Sequence, residues 1–192
     1  MTPARLYVCS LTRVVETVHD SGARSLVTIL TAGASLVRPH EIAPERHLCI
    51  AMSDIDAPVA GHITPEQSHI EQLLDFFSNW DRRAPLVIHC YAGVSRSPAA
   101  AFIAACALAP HRCEQAVAQE LRRASPTATP NRKLVALADA HLNRAGRMSA
   151  AIGAIGRGVD CDEGAPIALD LACAIVPTRA PQAAPRRPLR LV

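Results

Sequence analysis

Aromatic side chains make up only 3% of the 192 residues, three Phe, two Tyr and one Trp. A core must therefore be built from aliphatic groups, and the scarcity argues against a nucleic-acid surface that stacks bases on aromatic rings. Charge of one sign is scarce as well. A net +3 at neutral pH gives a mild attraction for anions rather than a polyanion-binding face, so no nucleic-acid partner is expected. The seven cysteines, at 9, 49, 90, 106, 113, 161 and 173, contain no CxxC or CxxH pair. That spacing disfavours a zinc site and a disulfide framework and fits a reducing compartment, with no metal and no cofactor expected. No apolar stretch approaches the ~18 residues of a bilayer span, and the opening MTPARLYVCSLTRVVE lacks the basic-then-apolar order of a signal peptide. The expectation is a cytoplasmic protein with no membrane partner; nothing in the pattern fixes an oligomeric state.

What is present is enough apolar material, 49% of the chain, for one ordinary core, in a length too short for two full domains. Short aliphatic or β-branched runs at 5–9, 25–30, 47–52 and 85–89 read as strands, the later ones short and apolar enough to be buried parallel strands. Between the first two, Val14, Val15 and Val18 share a helical face. Thr64-Pro65-Glu66-Gln67 carries a capping-box pattern with proline at the first helical position, and Ile70, Leu73, Leu74 and Phe77 follow as one stripe. Ala-rich 98–108 predicts a buried helix ended by Pro110. Residues 112–123 and 132–144 add two amphipathic helices, with Asn131 as a helix-start residue. Strands alternating with helices and followed by a helical cluster imply an α/β fold, a mostly parallel central sheet of about four to five strands flanked by helices.

Composition changes near Gly146. Five of the nine glycines lie between 146 and 164, and Pro177, Pro181, Pro185 and Pro188 accompany Arg179, Arg186, Arg187 and Arg190 near the end. This predicts a domain over 1–146 and a Gly/Pro/Arg-rich, partly disordered tail over 147–192, within which the apolar island Ile167–Val176 is able to dock.

The chemistry is concentrated in His89-Cys90-Tyr91-Ala92-Gly93-Val94-Ser95-Arg96-Ser97-Pro98, where a strand ends and a helix begins. Such a turn aims unpaired backbone N–H groups into one concavity, and the helix dipole adds positive charge. The cavity suits a tetrahedral dianion. Gly93 lets the backbone curl, Arg96 can grip two oxygens at once, and a cysteine in that field is favoured as the nucleophilic thiolate. Residues 91–96 are the expected anion-binding set: Tyr91, Ala92, Gly93, Val94, Ser95 and Arg96.

HCYAGVSRS resembles the HCx5R(S/T) signature of the cysteine-dependent protein tyrosine phosphatases, and of their compact dual-specificity subgroup in particular. Two further echoes lie outside it: Ile50-Ala51-Met52-Ser53-Asp54 is similar to the strand and aspartate that supply the general acid, and Pro130-Asn131 to an element opening the last helix. The resemblance covers roughly 5–144. It implies a phosphomonoester hydrolase with Cys90 as nucleophile, Arg96 on the phosphate oxygens, Asp54 as general acid, Ser97 as hydrogen-bond donor to the departing thiolate, and His89 orienting the loop and helping to hold the thiolate charge. The implied substrate is a phosphorylated protein or peptide carrying phosphotyrosine, with phosphoserine or phosphothreonine also open. Asp56 competes with Asp54 for the acid role. Ala92 departs from an acidic residue often found there, and the loop has no Lys. Tyr91 is read as facing the interior. RNA 5′-phosphate or a phosphoinositide as substrate, a sulfurtransferase holding a persulfide, and a non-catalytic phosphate reader are the alternatives. Cys49, on the strand leading to Asp54, is a candidate disulfide partner for Cys90 if those strands are neighbours.

Overall fold

The computed structural model describes residues 5–171 of the chain. Five strands, β1 (Arg5–Cys9), β2 (Ser25–Leu30), β3 (His47–Ala51), β4 (Leu86–His89) and β5 (Ile167–Asp170), form one sheet in the order β3-β2-β4-β1-β5. The first four are parallel, and β5 joins β1 antiparallel, Leu6 opposite Leu169. Six helices flank them: α1 (Val14–Ser21), α2 (Gln67–Asn79), α3 (Arg96–Leu108), α4 (Glu114–Ala124), α5 (Arg132–His141) and α6 (Arg147–Ile155).

Alternation along the strands sorts the core into two layers. Leu6, Val8, Leu86 and Ile88 point to the face covered by α2 to α6, whereas Cys9, Leu26 and Val87 point to the face where α1 packs with Val14 and Val18. Val15, expected on that stripe, is exposed. Helix α3 is buried nearly all round because Ala99, Ala100, Ala101, Ala104 and Ala105 let it lie between the sheet and the outer helices. The start of α2 falls later than expected. Glu66 is its N-cap, the Glu66 N–H donates to His69 Nδ1 at 3.0 Å, and Pro65 stands outside the helix rather than at its first position.

The described part of the expected tail is not loose. Helix α6 buries Met148, Ala151 and Ile152 against the main core, and Leu169 and Leu171 join them. The glycines there act as terminators rather than as loosening residues: Gly146 (φ 82°) and Gly156 (φ 64°) take positive φ at the two ends of α6, which glycine adopts without steric cost. The boundary expected at 146 therefore falls between two packed helices. Of the apolar island, Ile167–Asp170 docks as a strand; residues from 172 onward, with the expected prolines and arginines, lie outside the described residues.

The topology also fixes where a site can form. Adjacent strands β1 and β4 send their connections to opposite faces, β1 to α1 and β4 to α3. A crevice opens beyond their carboxyl ends, the usual binding position in open α/β sheets. The 90–96 segment lies in it.

Candidate functional site

Strand β4 ends at His89, and the chain turns through residues 90–95 into α3. Gly93 has φ 73°, and a Cβ there would stand 2.8 Å from the Cys9 carbonyl carbon and the Ser10 nitrogen, so both conformation and space demand glycine. The carbonyls around the turn face outward and are bonded: Leu11 N–H donates to Tyr91 O (3.0 Å), Gly164 N–H to Ala92 O (2.8 Å), Thr129 N–H to Val94 O (2.8 Å) and Asn131 N–H to Ser95 O (3.3 Å). The N–H groups of residues 91–95 donate to no group among the described residues. A ring of carbonyls held outward leaves these amides for an anion.

Cys90 is 2% exposed and accepts a hydrogen bond from Ser97 Oγ at 3.1 Å. Arg96 is 5% exposed. Its Nη1 donates to the Met52 carbonyl at 2.9 Å and lies 3.4 Å from Thr31 Oγ1, which braces it where Ala92 offers no acidic side chain. Its Nε is buried and has no partner among the described residues. A buried guanidinium nitrogen without an acceptor is costly unless a ligand supplies one. The nearest carboxylate oxygen, Asp54 Oδ2, is 4.0 Å away.

Asp54 is steered by groups from two other elements. Its Oδ1 accepts from Ser95 Oγ (2.6 Å) and Asn131 Nδ2 (2.9 Å), while Asn131 Oδ1 caps α5 by accepting from Leu134 N–H (2.9 Å). With Oδ1 holding two donated hydrogens, a proton on this carboxyl belongs on Oδ2, the oxygen that faces Arg96 Nε. Asp56 lines the same cleft as Asp54, but its Oδ1 lies 3.4 Å from the Lys133 N–H at the start of α5 rather than beside Arg96.

His89 is fully buried. Its Nδ1 lies 3.2 Å from the Cys90 carbonyl, which can only accept, so Nδ1 carries the hydrogen. Nε2 then accepts from Thr28 Oγ1 at 2.7 Å, and Thr28 in turn meets His47 Nε2 at 2.8 Å. Burial pushes the His89 pKa down to about 4. The ring is neutral at pH 7 with both nitrogens engaged, so the expected help to the thiolate charge is corrected: His89 holds the Cys90 backbone and has no N–H for sulfur.

Two further expectations change. Tyr91 is 68% exposed rather than inward-facing. The Cys49–Cys90 bridge fails on topology, since β2 lies between β3 and β4. Two strand spacings of ~4.8 Å exceed the ~7 Å Cα limit for a disulfide. The thiol nearest in register is Cys9, opposite His89, but burial pushes its pKa up to about 12, and its side chain belongs to the other face of the sheet.

The structure thus brings Cys90, Arg96, Ser97, Asp54 and the 91–95 amides together. It adds Thr31 and the Met52 carbonyl, which spacing in the sequence did not single out, and gives the Ser95 hydroxyl and the Asn131 amide bonds to Asp54 that the sequence did not predict. Pro130-Asn131 was visible as a helix start, and its second bond needs the fold. Beside the loop a cleft of about 390 Å³ is lined by Asp54, Ser95, Asn131, Arg132, Arg157 and Cys161. Among the described residues no group of three or more His, Cys, Asp or Glu side chains is placed to hold a metal, and no helix is long and apolar enough to cross a membrane.

No protein-family model and no curated protein matches this chain. Solved structures do. Human DUSP28 superposes with a TM-score of 0.56 at 18% identity, over 75% of this chain and 94% of that one. A mouse putative dual specificity phosphatase complexed with zinc tungstate gives 0.56 at 18% over 79% and 93%. PTPMT1 in complex with PI(5)P gives 0.52 at 12% over 78% and 92%. The fold of this chain is that of the dual-specificity phosphatases, the compact form of the cysteine-based protein tyrosine phosphatase fold.

Proposed function

We propose that this chain is a phosphomonoester hydrolase that dephosphorylates phosphotyrosine in proteins or peptides through a cysteinyl-phosphate intermediate, with phosphoserine and phosphothreonine open to the same chemistry. The observation that carries the reading is the buried, unpartnered Nε of Arg96 beside unpaired loop amides and a cysteine that already accepts from Ser97. A phosphate in the loop satisfies all of these donors at once.

In the first step Cys90 Sγ forms a bond to phosphorus as the bond to the ester oxygen breaks, and that oxygen takes the proton from Asp54 Oδ2. Arg96 and the amides hold the three equatorial oxygens. Water then attacks phosphorus and gives a proton to the Asp54 carboxylate, the S–P bond breaks, phosphate leaves, and Ser97 Oγ–H stabilises the returning thiolate. The positive charge required comes from Arg96 and the amides, so chelators are expected to leave the rate unchanged. The cleft beside Asp54 and Ser95 leaves room for the leaving group, its volume lying within the range of small-molecule pockets.

The test is a rate comparison on phosphotyrosyl and phosphothreonyl peptides, a phosphoinositide and triphosphorylated RNA. Highest kcat/KM on the phosphotyrosyl peptide is the expected result. Preference for the lipid or the RNA overturns the substrate class, and no turnover of any member overturns the hydrolase reading.

A further inference from the structure

Residues 156–166 connect α6 to β5 and pass over the rim of the 90–96 loop. Each part of this segment is bonded to something that sets the loop. At its start, the Arg122 guanidinium donates to the Gly156 carbonyl and to Pro126 O (2.8 and 2.7 Å). Gly158 N–H donates to Thr129 Oγ1 at 3.0 Å, and a Cβ on Gly158 would stand 2.5 Å from Thr127 backbone atoms. That close approach steadies the 126–131 stretch whose Thr129 and Asn131 amides hold the Val94 and Ser95 carbonyls. Further on, the Glu163 carboxylate accepts from both Ser10 and Thr12 hydroxyls, which hold its pKa below the usual carboxylate range. Those hydroxyls flank Leu11, whose N–H holds the Tyr91 carbonyl, and Gly93 rests on the Cys9–Ser10 peptide. Finally, the Gly164 N–H holds the Ala92 carbonyl itself, and a Cβ on Gly164 would press to 3.1 Å on Gly93 O.

We propose that this segment is a strap that keeps the anion loop in its binding conformation, with Glu163 and Gly164 as positioning residues. The critical unit is the peptide between Ala92 and Gly93. Because Gly93 tolerates either sign of φ, that peptide plane is free to rotate unless its carbonyl is held. Rotation would carry the Ala92 oxygen into the cradle and turn the Gly93 N–H out of it, replacing a donor to phosphate with a repelling acceptor. The Gly164 N–H opposes that rotation directly. Glu163 sets the height of the strap by gripping the 10–12 turn on which Gly93 rests. Neither residue touches the anion.

The proposal rests on the loop being an oxyanion site, and the test separates the two. Tungstate and inorganic phosphate affinity are measured by calorimetry, and aryl phosphate hydrolysis by steady-state kinetics. Glu163→Ala and Gly164→Ala are each expected to weaken both oxyanions about tenfold and to raise KM with kcat falling less. Glu163→Gln, whose amide oxygen still accepts from the hydroxyls, is expected to recover most of the affinity. Variants that fold and bind tungstate within twofold of wild type overturn the strap. Should either variant fail to fold, hydrogen exchange of the Gly164 amide in the wild-type protein decides: tungstate must slow it, and an unchanged rate overturns the proposal. Wild type that binds tungstate yet hydrolyses nothing overturns the hydrolase reading and leaves the strap standing. Wild type that binds no oxyanion overturns both.

Discussion

The anion loop and the longer strap that crosses it work by different means. The loop is local. Residues 91–95 present consecutive amides because one strand ends and one helix begins within a single turn, and Cys90, Arg96 and Ser97 are neighbours in sequence before they are neighbours in space. The strap is assembled from distant parts: Gly164 reaches Ala92, and Glu163 reaches Ser10 and Thr12, across long stretches of chain. A loop defined locally can carry chemistry, whereas a strap defined by tertiary contacts can only hold that chemistry in shape. Substitutions in the two should therefore differ in kind as well as size.

The largest effect belongs to the loop. Cys90→Ser is expected to abolish turnover, by roughly 10³-fold or more, while tungstate affinity measured by calorimetry stays near wild type, because Arg96 and the amides remain. Retained turnover would mean that another group is the nucleophile. Next comes the acid. Asp54→Asn should slow an alkyl phosphate by about 10²–10⁴ and an activated aryl phosphate much less, since only a poor leaving group depends on the proton. Asp56→Asn, which faces α5 instead, should stay within about twofold on both. Exchange of these behaviours would move the acid to Asp56. Strap substitutions follow with the tenfold oxyanion effect given above.

A different contrast separates α6 and β5 from the substitutions just described. Ending the chain at residue 146 removes Met148, Ala151, Ile152, Leu169 and Leu171 from the core. With Met148, Ile152, Leu169 and Leu171 each contributing about 1.5–3 kcal/mol of burial and Ala151 less, the shortened protein should lose its cooperative thermal transition. A folded and active 1–146 chain would show that the first four strands and five helices suffice alone.

The smallest effect is on pH dependence. His89 has a folded-state pKa near 4 against an unfolded value near 6.5, so the folded protein binds fewer protons between them. Its contribution to stability is complete above about pH 6.5 and is lost as pH falls toward about pH 4. Between about pH 7 and pH 5 the loss is about 2 kcal/mol. His89→Asn, which keeps a donor for the Cys90 carbonyl, should flatten that slope in denaturant titrations. A slope identical to wild type would show that His89 does not titrate as its burial implies.

Much of the fold could be read from the chain because its signals are periodic and local. The runs at 5–9 and 25–30 became β1 and β2 with those bounds, and Ile70, Leu73 and Phe77 are buried on one side of α2 as their spacing requires. The reading weakened where one residue type serves opposite purposes. Glycines near 146 and 156 look the same in a loose tail and at the ends of a helix, and only the burial of Met148, Ala151 and Ile152 between them decides the case. Asn131 met the same ambiguity: its cap to Leu134 is a local bond, and its amide on Asp54 crosses to another element.

What the sequence determined by itself was the strand–loop–helix unit, read as a strand over 85–89 and a helix over 98–108 with a cysteine, a glycine and an arginine in the turn between them, because strand propensity, a turn that requires glycine and a helix start all act over a few residues. What only the tertiary structure decided was how that unit is held. It seated neutral His89 on Thr28 and the Cys90 carbonyl, turned Asp54 Oδ2 toward Arg96, kept Cys49 two strands from Cys90, and laid Glu163 and Gly164 against the loop. Bonds of that kind join groups far apart in the chain. Their geometry follows from sheet order and packing, which no local pattern of residue types records.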